Sequence, residues 1–153
     1  MKLAHLKLLI IALILAVGFN FCSKKSDIDF SNIENLYEKP LPVIQKVVQG
    51  KWKWYVSYGG VVGISYTDDT FVDINDDHVV IDYADGSQQT IYFTWERLIP
   101  YNLGHETYVM WDKERNEGLW YFSAIKNDSL GVGSYPPSGS TFWQFSFGFA
   151  RIK

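Results

Sequence analysis

The chain predicts an all-β fold, an eight-stranded antiparallel up-and-down barrel with a short helical turn before its first strand. Three observations carry that prediction. Beyond Gly50 the sequence divides into eight runs of aromatic and β-branched residues bounded by turn clusters. The first and last runs alternate in character over a long stretch, as strands with one buried face do. No helical pattern separates the runs, so a parallel βαβ sheet is excluded.

The runs are Lys51 to Tyr58, Thr70 to Asn75, His78 to Tyr83, Gln88 to Glu96, Thr107 to Trp111, Leu119 to Ile125, Leu130 to Gly133 and Phe142 to Ile152. Turn chemistry lies between them, at Gly59-Gly60, Asn75-Asp76-Asp77, Ala84-Asp85-Gly86, Pro100 to Gly104, Asn116-Glu117-Gly118, Asn127-Asp128 and Pro136 to Gly139. In the first run Trp52, Trp54, Val56 and Tyr58 share a face, with Lys51, Lys53 and Ser57 opposite and Tyr55 as the one interruption. In the last, Trp143, Phe145, Phe147, Phe149 and Arg151 face one way and Gln144, Ser146, Gly148 and Ala150 the other. Pairing these two strands closes the sheet and removes both edges.

Upstream of the strands the character differs. Lys2 and Lys7 flank a start that leads into an apolar run, Leu8 to Phe21, and the chain turns polar at Cys22 as CSKKSD. This is the form of a secretory signal peptide over residues 1–21, and the run is shorter than the roughly 18 residues a membrane-crossing helix needs. Residues 22–39 are polar and without periodicity, and read as a tether. Pro40 and Pro42 then open LPVIQKVVQG, where Val43, Ile44, Val47 and Val48 recur at helical spacing and Gly50 ends the turn. Residues 40–153 form the single domain.

Composition excludes several classes of partner. Removing residues 1–21 takes away two lysines and no acid, moving the formal net charge from −3 to −5. An acidic domain is a poor match for nucleic acid or anionic lipid surfaces. One cysteine precludes an internal disulfide, so stability must come from the core, and aromatic residues at 17% supply much area for it.

Two resemblances follow from these residues. The basic start, short apolar run and single Cys22 resemble a bacterial lipoprotein signal, in which the cysteine thiol receives a diacylglycerol and becomes the acylated amino terminus. The chain departs from that pattern at Phe21, where a small residue is usual, and the Ala16-Val17-Gly18 stretch offers an ordinary cleavage site instead. The resemblance implies a palmitate-bearing lipoprotein held on the envelope membrane, with Ser23 compatible with the outer membrane. Gly50-Lys51-Trp52 after a helical turn, with Arg151 in the last strand, resembles the lipocalin-like family. The phrase GKWKWYVSYGGVVG with the terminal FARIK is similar to small bacterial lipocalin-like lipoproteins. That family implies Gly50, Trp52 and Arg151 as a structural barrel base, with the arginine lying across the indole. A guanidinium beside aromatic rings is tolerable in an interior only when stacked and hydrogen-bonded.

Above the base, Trp54, Val56, Phe93, Trp95 and Phe147 are the candidates for an inward, ligand-contacting set. The barrel interior is wide enough either to be packed or to hold one small apolar or amphipathic molecule. A packed barrel serving as a protein- or glycan-interaction lipoprotein is the other reading. The loops at Gly59 to Asp69 and Gly133 to Thr141 are expected at the mouth. Asp73-x-Asn75-x-Asp77 has the first spacings of a calcium loop, but His78 and Ala84 stand where glycine and glutamate are required, so no metal site is assigned. His78, His105 and the Asp112 and Glu114 pair match no catalytic motif, and neither an enzyme activity nor a cofactor is assigned.

Overall fold

The computed structural model describes residues 30–59, 63–100, 103–135 and 145–152. Signal segment 1–21, Cys22 and the start of the tether lie outside the described residues, as do Phe142 to Gln144 of the last predicted strand.

The described chain runs β1 (Asn32–Ile33), a 3-10 turn (Leu36–Glu38), α1 (Leu41–Val48), β2 (Gly50–Gly59), β3 (Gly63–Ile74), β4 (His78–Asp82), β5 (Gln88–Leu98), β6 (Thr107–Asp112), β7 (Glu117–Lys126), β8 (Ser129–Ser134) and β9 (Phe145–Arg151). Strands β2 to β9 pair with their sequence neighbours, all antiparallel, and β9 returns to pair with β2. The result is a closed eight-stranded up-and-down barrel. Alternate hairpins lie at opposite ends, so α1 shares its end with the β3–β4, β5–β6 and β7–β8 connections. Among the described residues five hairpin connections carry positive φ at Gly, Asn or Asp: Gly59 and Gly63 flanking β2–β3, Gly86, Gly104, Asn116, and Asn127 with Asp128. Asn127 and Asp128 both take positive φ in a two-residue β7–β8 turn, as its tight twist requires.

Two elements extend beyond the expected ones. β3 begins at Gly63, so residues 63–69, expected in a mouth loop, continue the β2–β3 ribbon outward instead. Residues 32–39, read as tether, are folded: β1 pairs with the end of β7, and Leu36 is fully buried. Leu36 and Ile33 are apolar residues isolated among polar ones, so no periodicity marked them. With Ile44, Val47 and Val48 of α1 they stop one end of the barrel.

Arg151 locks that stopper to the wall. Trp52 is fully buried, and its indole Nε1 donates to the Val48 carbonyl at 2.7 Å. The Arg151 guanidinium carbon sits 4.3 Å from the centre of the Trp52 ring. Its Nη2 donates to the Val47 carbonyl at 2.7 Å and its Nη1 to the Gln49 carbonyl at 3.5 Å. These carbonyls are the ones a helix C-terminus leaves without internal partners, and a cation there also meets the favourable end of the helix dipole. Gly50 takes φ +111, and a Cβ on it would stand 3.8 Å from Arg151 Nη1. Backbone conformation, not crowding, therefore selects glycine at the bend from α1 into β2.

Arg151→Ala removes a stacked cation and two charge-assisted hydrogen bonds, and should cost about 2–4 kcal/mol. Arg151→Lys should recover only part of it, because an ammonium lacks the planar fork. Urea denaturation midpoints check this; a midpoint unchanged in the alanine variant would contradict the base described here.

Candidate functional site

At the level of Trp52 the interior is filled. Val72, Ile74, Val79, Phe93, Phe122, Leu130 and Phe149 are buried against one another there. Beyond this floor, toward the end opposite α1, the packing loosens. Trp54 and Phe147 point inward yet are only partly buried, although they adjoin the buried Trp120 and Phe149. Trp54 meets Phe147 edge-on at 4.7 Å, Trp120 at 6.4 Å and Phe149 at 5.6 Å. Phe145, Phe147 and Phe149 rise along β9 as a near-parallel ladder spaced 6.4 and 6.5 Å. The open half is thus lined by partly exposed aromatic rings above a packed floor, an arrangement called the aromatic cup below.

The cup's polar groups are mainly hydroxyls. Trp54 Nε1 donates to Ser57 Oγ at 3.1 Å, and Thr70, paired with Trp54, is buried. Ser134 pairs with Trp120, and its Oγ accepts the Phe145 N–H at 2.9 Å. Among the described residues the one buried acid is Asp112, paired with the core residue Phe93. Its Oδ1 accepts the N–H groups of Glu114 and Arg115 at 2.8 and 3.0 Å, so it shapes the β6–β7 turn.

The five sequence-assigned interior residues separate into three groups. Trp54 and Phe147 line the cup. Phe93 and Trp95 face inward but belong to the stopped end: they meet each other, Trp95 meets Phe122, and the Phe93 N–H donates to the Asp77 carbonyl in the β3–β4 turn. Val56 is a correction. A β-bulge at Tyr55 reverses the alternation, so Ser57 joins the face of Trp54 while Val56 and Tyr58 turn outward. Val56 pairs with Gly148 on the outer wall and is buried there beside the Tyr55 ring. The interruption at Tyr55 is visible in the sequence, but the reversal of the residues after it follows from the pairing of β2 with β3 and β9. Ser57, Thr70 and Trp120 were missed, since small polar residues and a ring in a mid-strand run carry no distinctive signal.

The remaining candidates gather no chemistry. His78 Nδ1 lies 2.8 Å from Asp77 Oδ1, which holds the Asp77 carboxyl below its usual range, and the pair is on the surface. Ser87 does the same to Asp85 through its hydroxyl and backbone N–H. His105 stacks at a tilt on Tyr37, 4.9 Å away, outside the barrel. Among the described residues no three His, Cys, Asp or Glu side chains gather as a metal site.

The bulge yields a direct test. A Cβ on Gly148 would stand 2.6 Å from Val56 Cγ1 and 2.7 Å from the Tyr55 ring. Gly148→Ala should lower stability by about 1–3 kcal/mol, and adding Val56→Ala should restore part of that loss. Denaturation of the two variants measures this; losses that simply add would mean that Val56 does not overlie Gly148.

No family model matches this chain, and no curated protein and no solved structure matches it.

Proposed function

We propose that this protein is a lipid-anchored envelope lipoprotein of the lipocalin-like kind, whose barrel binds one small apolar or amphipathic molecule in its aromatic cup. The partial exposure of the inward rings Trp54 and Phe147 carries this reading, because a barrel built only to be packed would bury them as it buries Trp52 and Phe149. A concave, largely apolar space with a few hydroxyls is the ordinary form of a small-molecule site. Among the described residues the cup presents rings and hydroxyls, and binding without chemistry is the reading they support. The basic start, apolar run and Cys22 support the anchor. Two acyl chains or more would hold the domain stably where one would not.

A second reading has its own support on the outer wall. Tyr58, Ile64 and Tyr66 stand on the outward side of the β2–β3 ribbon, 45%, 56% and 77% exposed, and such a cluster suits a protein or glycan partner.

Titration with the uncharged dye N-phenyl-1-naphthylamine should give one site per chain, and Trp54→Ala should weaken it at least tenfold with the β-sheet circular dichroism unchanged. Absence of saturable binding would favour the outer wall. The anchor is checked separately: radiolabelled palmitate should enter the native chain and not a Cys22→Ser variant, and an unlabelled native chain would remove the lipoprotein assignment.

A further inference from the structure

We propose that the cup selects uncharged amphiphiles and rejects carboxylate anions, so that its natural ligand carries a hydroxyl or carbonyl head in place of a fatty-acid head group. This rests on the reading of the barrel as a binding module. The argument comes from where the charged side chains of the strands point. Lys51 and Lys53 face outward, engaged with Asp73 at 4.0 Å and Asp69 at 3.1 Å. His78 pairs with the exposed Tyr92 on the outer face of β4 and β5, and Arg97 is bound to Glu106 at 3.0 Å beside the β5–β6 connection. Arg151, the one strand cation held inside, is committed to Trp52 and the α1 carbonyls. Lys126, the last residue of β7, is exposed at the β7–β8 turn on the stopped end. Among the described residues, then, no strand cation is left to receive an anion in the open half.

The acids there point the other way. Asp112, in register with Phe93 and Glu117, is buried on the inward face of β6 where that strand runs into the β6–β7 turn at this end. Arg115 stands 3.8 Å from each of those carboxylates, so three charges at that corner sum to one negative. A third carboxylate brought beside them would lose its hydration with only Arg115, already shared by two acids, to compensate it. An ammonium head gains little, because Asp112 already accepts two backbone N–H groups. The hydroxyls of Ser57 and Thr70, by contrast, can both donate to and accept from a neutral polar head. Of the four connections at this end, residues 60–62 and 136–144 contain no Lys, Arg, His, Asp or Glu, the β4–β5 turn carries Asp85, and in the β6–β7 turn Lys113 and Glu114 cancel, leaving the corner of Asp112, Arg115 and Glu117 at one negative charge.

Three probes of equal chain length test this on the full chain, by calorimetry at pH 7.5 and below their aggregation limits: decan-1-ol, decanoate and decylammonium. Decan-1-ol is expected to bind at least tenfold more tightly than decanoate and no less tightly than decylammonium. Decanoate binding as tightly as the alcohol would overturn the proposal while leaving the cup as a binding site. Tighter binding of decylammonium would also overturn it and make Asp112 the head-group partner. Failure of all three to bind, together with failure of the uncharged dye, would remove the binding reading itself and this proposal with it.

Discussion

The position of one guanidinium governs the rest of this barrel. Arg151 must enter an apolar interior, and the structure makes that tolerable by laying it on Trp52 and giving its nitrogens the carbonyls at the end of α1. Each of those contacts fixes something further. The stack sets the register of β9 on β2, which is the pairing that closes the sheet. The carbonyl bonds fix the helix across one end, where Leu36, Ile44, Val47 and Val48 complete the stopper. With the register set, Phe149 and Phe147 fall beside Trp54, so the same contact that seals one end assembles the aromatic wall of the other.

The barrel is thereby divided along its axis into a half with a fully buried core and a half whose inward rings are only partly buried. Large rings fill the lower interior to the density expected of a protein core. Above it the bulge at Tyr55 takes Val56 and Tyr58 out of the interior and brings in Ser57. Replacing two large inward side chains by one hydroxyl widens the cup and gives it polarity. Of the two displaced side chains Tyr58 is exposed, whereas Val56, together with Tyr55, covers Gly148, a position on the outer wall with no side chain of its own. The cup and the outer packing are two consequences of one inserted residue.

The legible part of this fold was what period and turn chemistry report. Eight strands follow from the eight aromatic and β-branched runs, and the paired first and last strands from their long alternation. The helix at Leu41–Val48 follows from Pro40, Pro42 and the spacing of Ile44 and Val47. What escaped depends on partners distant in sequence. Ile33 and Leu36 are single apolar residues in a polar stretch, and only the open end of the barrel makes them core. β3 extends past Thr70 to Gly63 because β2 offers it a ladder, although Asp68 and Asp69 have little strand propensity. For the site, Trp54 and Phe147 could be assigned inward by alternation, whereas the depth that separates them from Phe93 and Trp95 comes from the stagger between tilted strands. No alternation pattern within one strand encodes that stagger.

The central claim is that the open half is hollow and occupied in the cell. Native mass spectrometry of the protein released gently from its own envelope tests it most directly. The account predicts a peak displaced from the bare chain by the mass of one small uncharged molecule, at one per protein. A bare chain alone, from preparations that retain bound lipid in a control lipid-binding barrel, would contradict it.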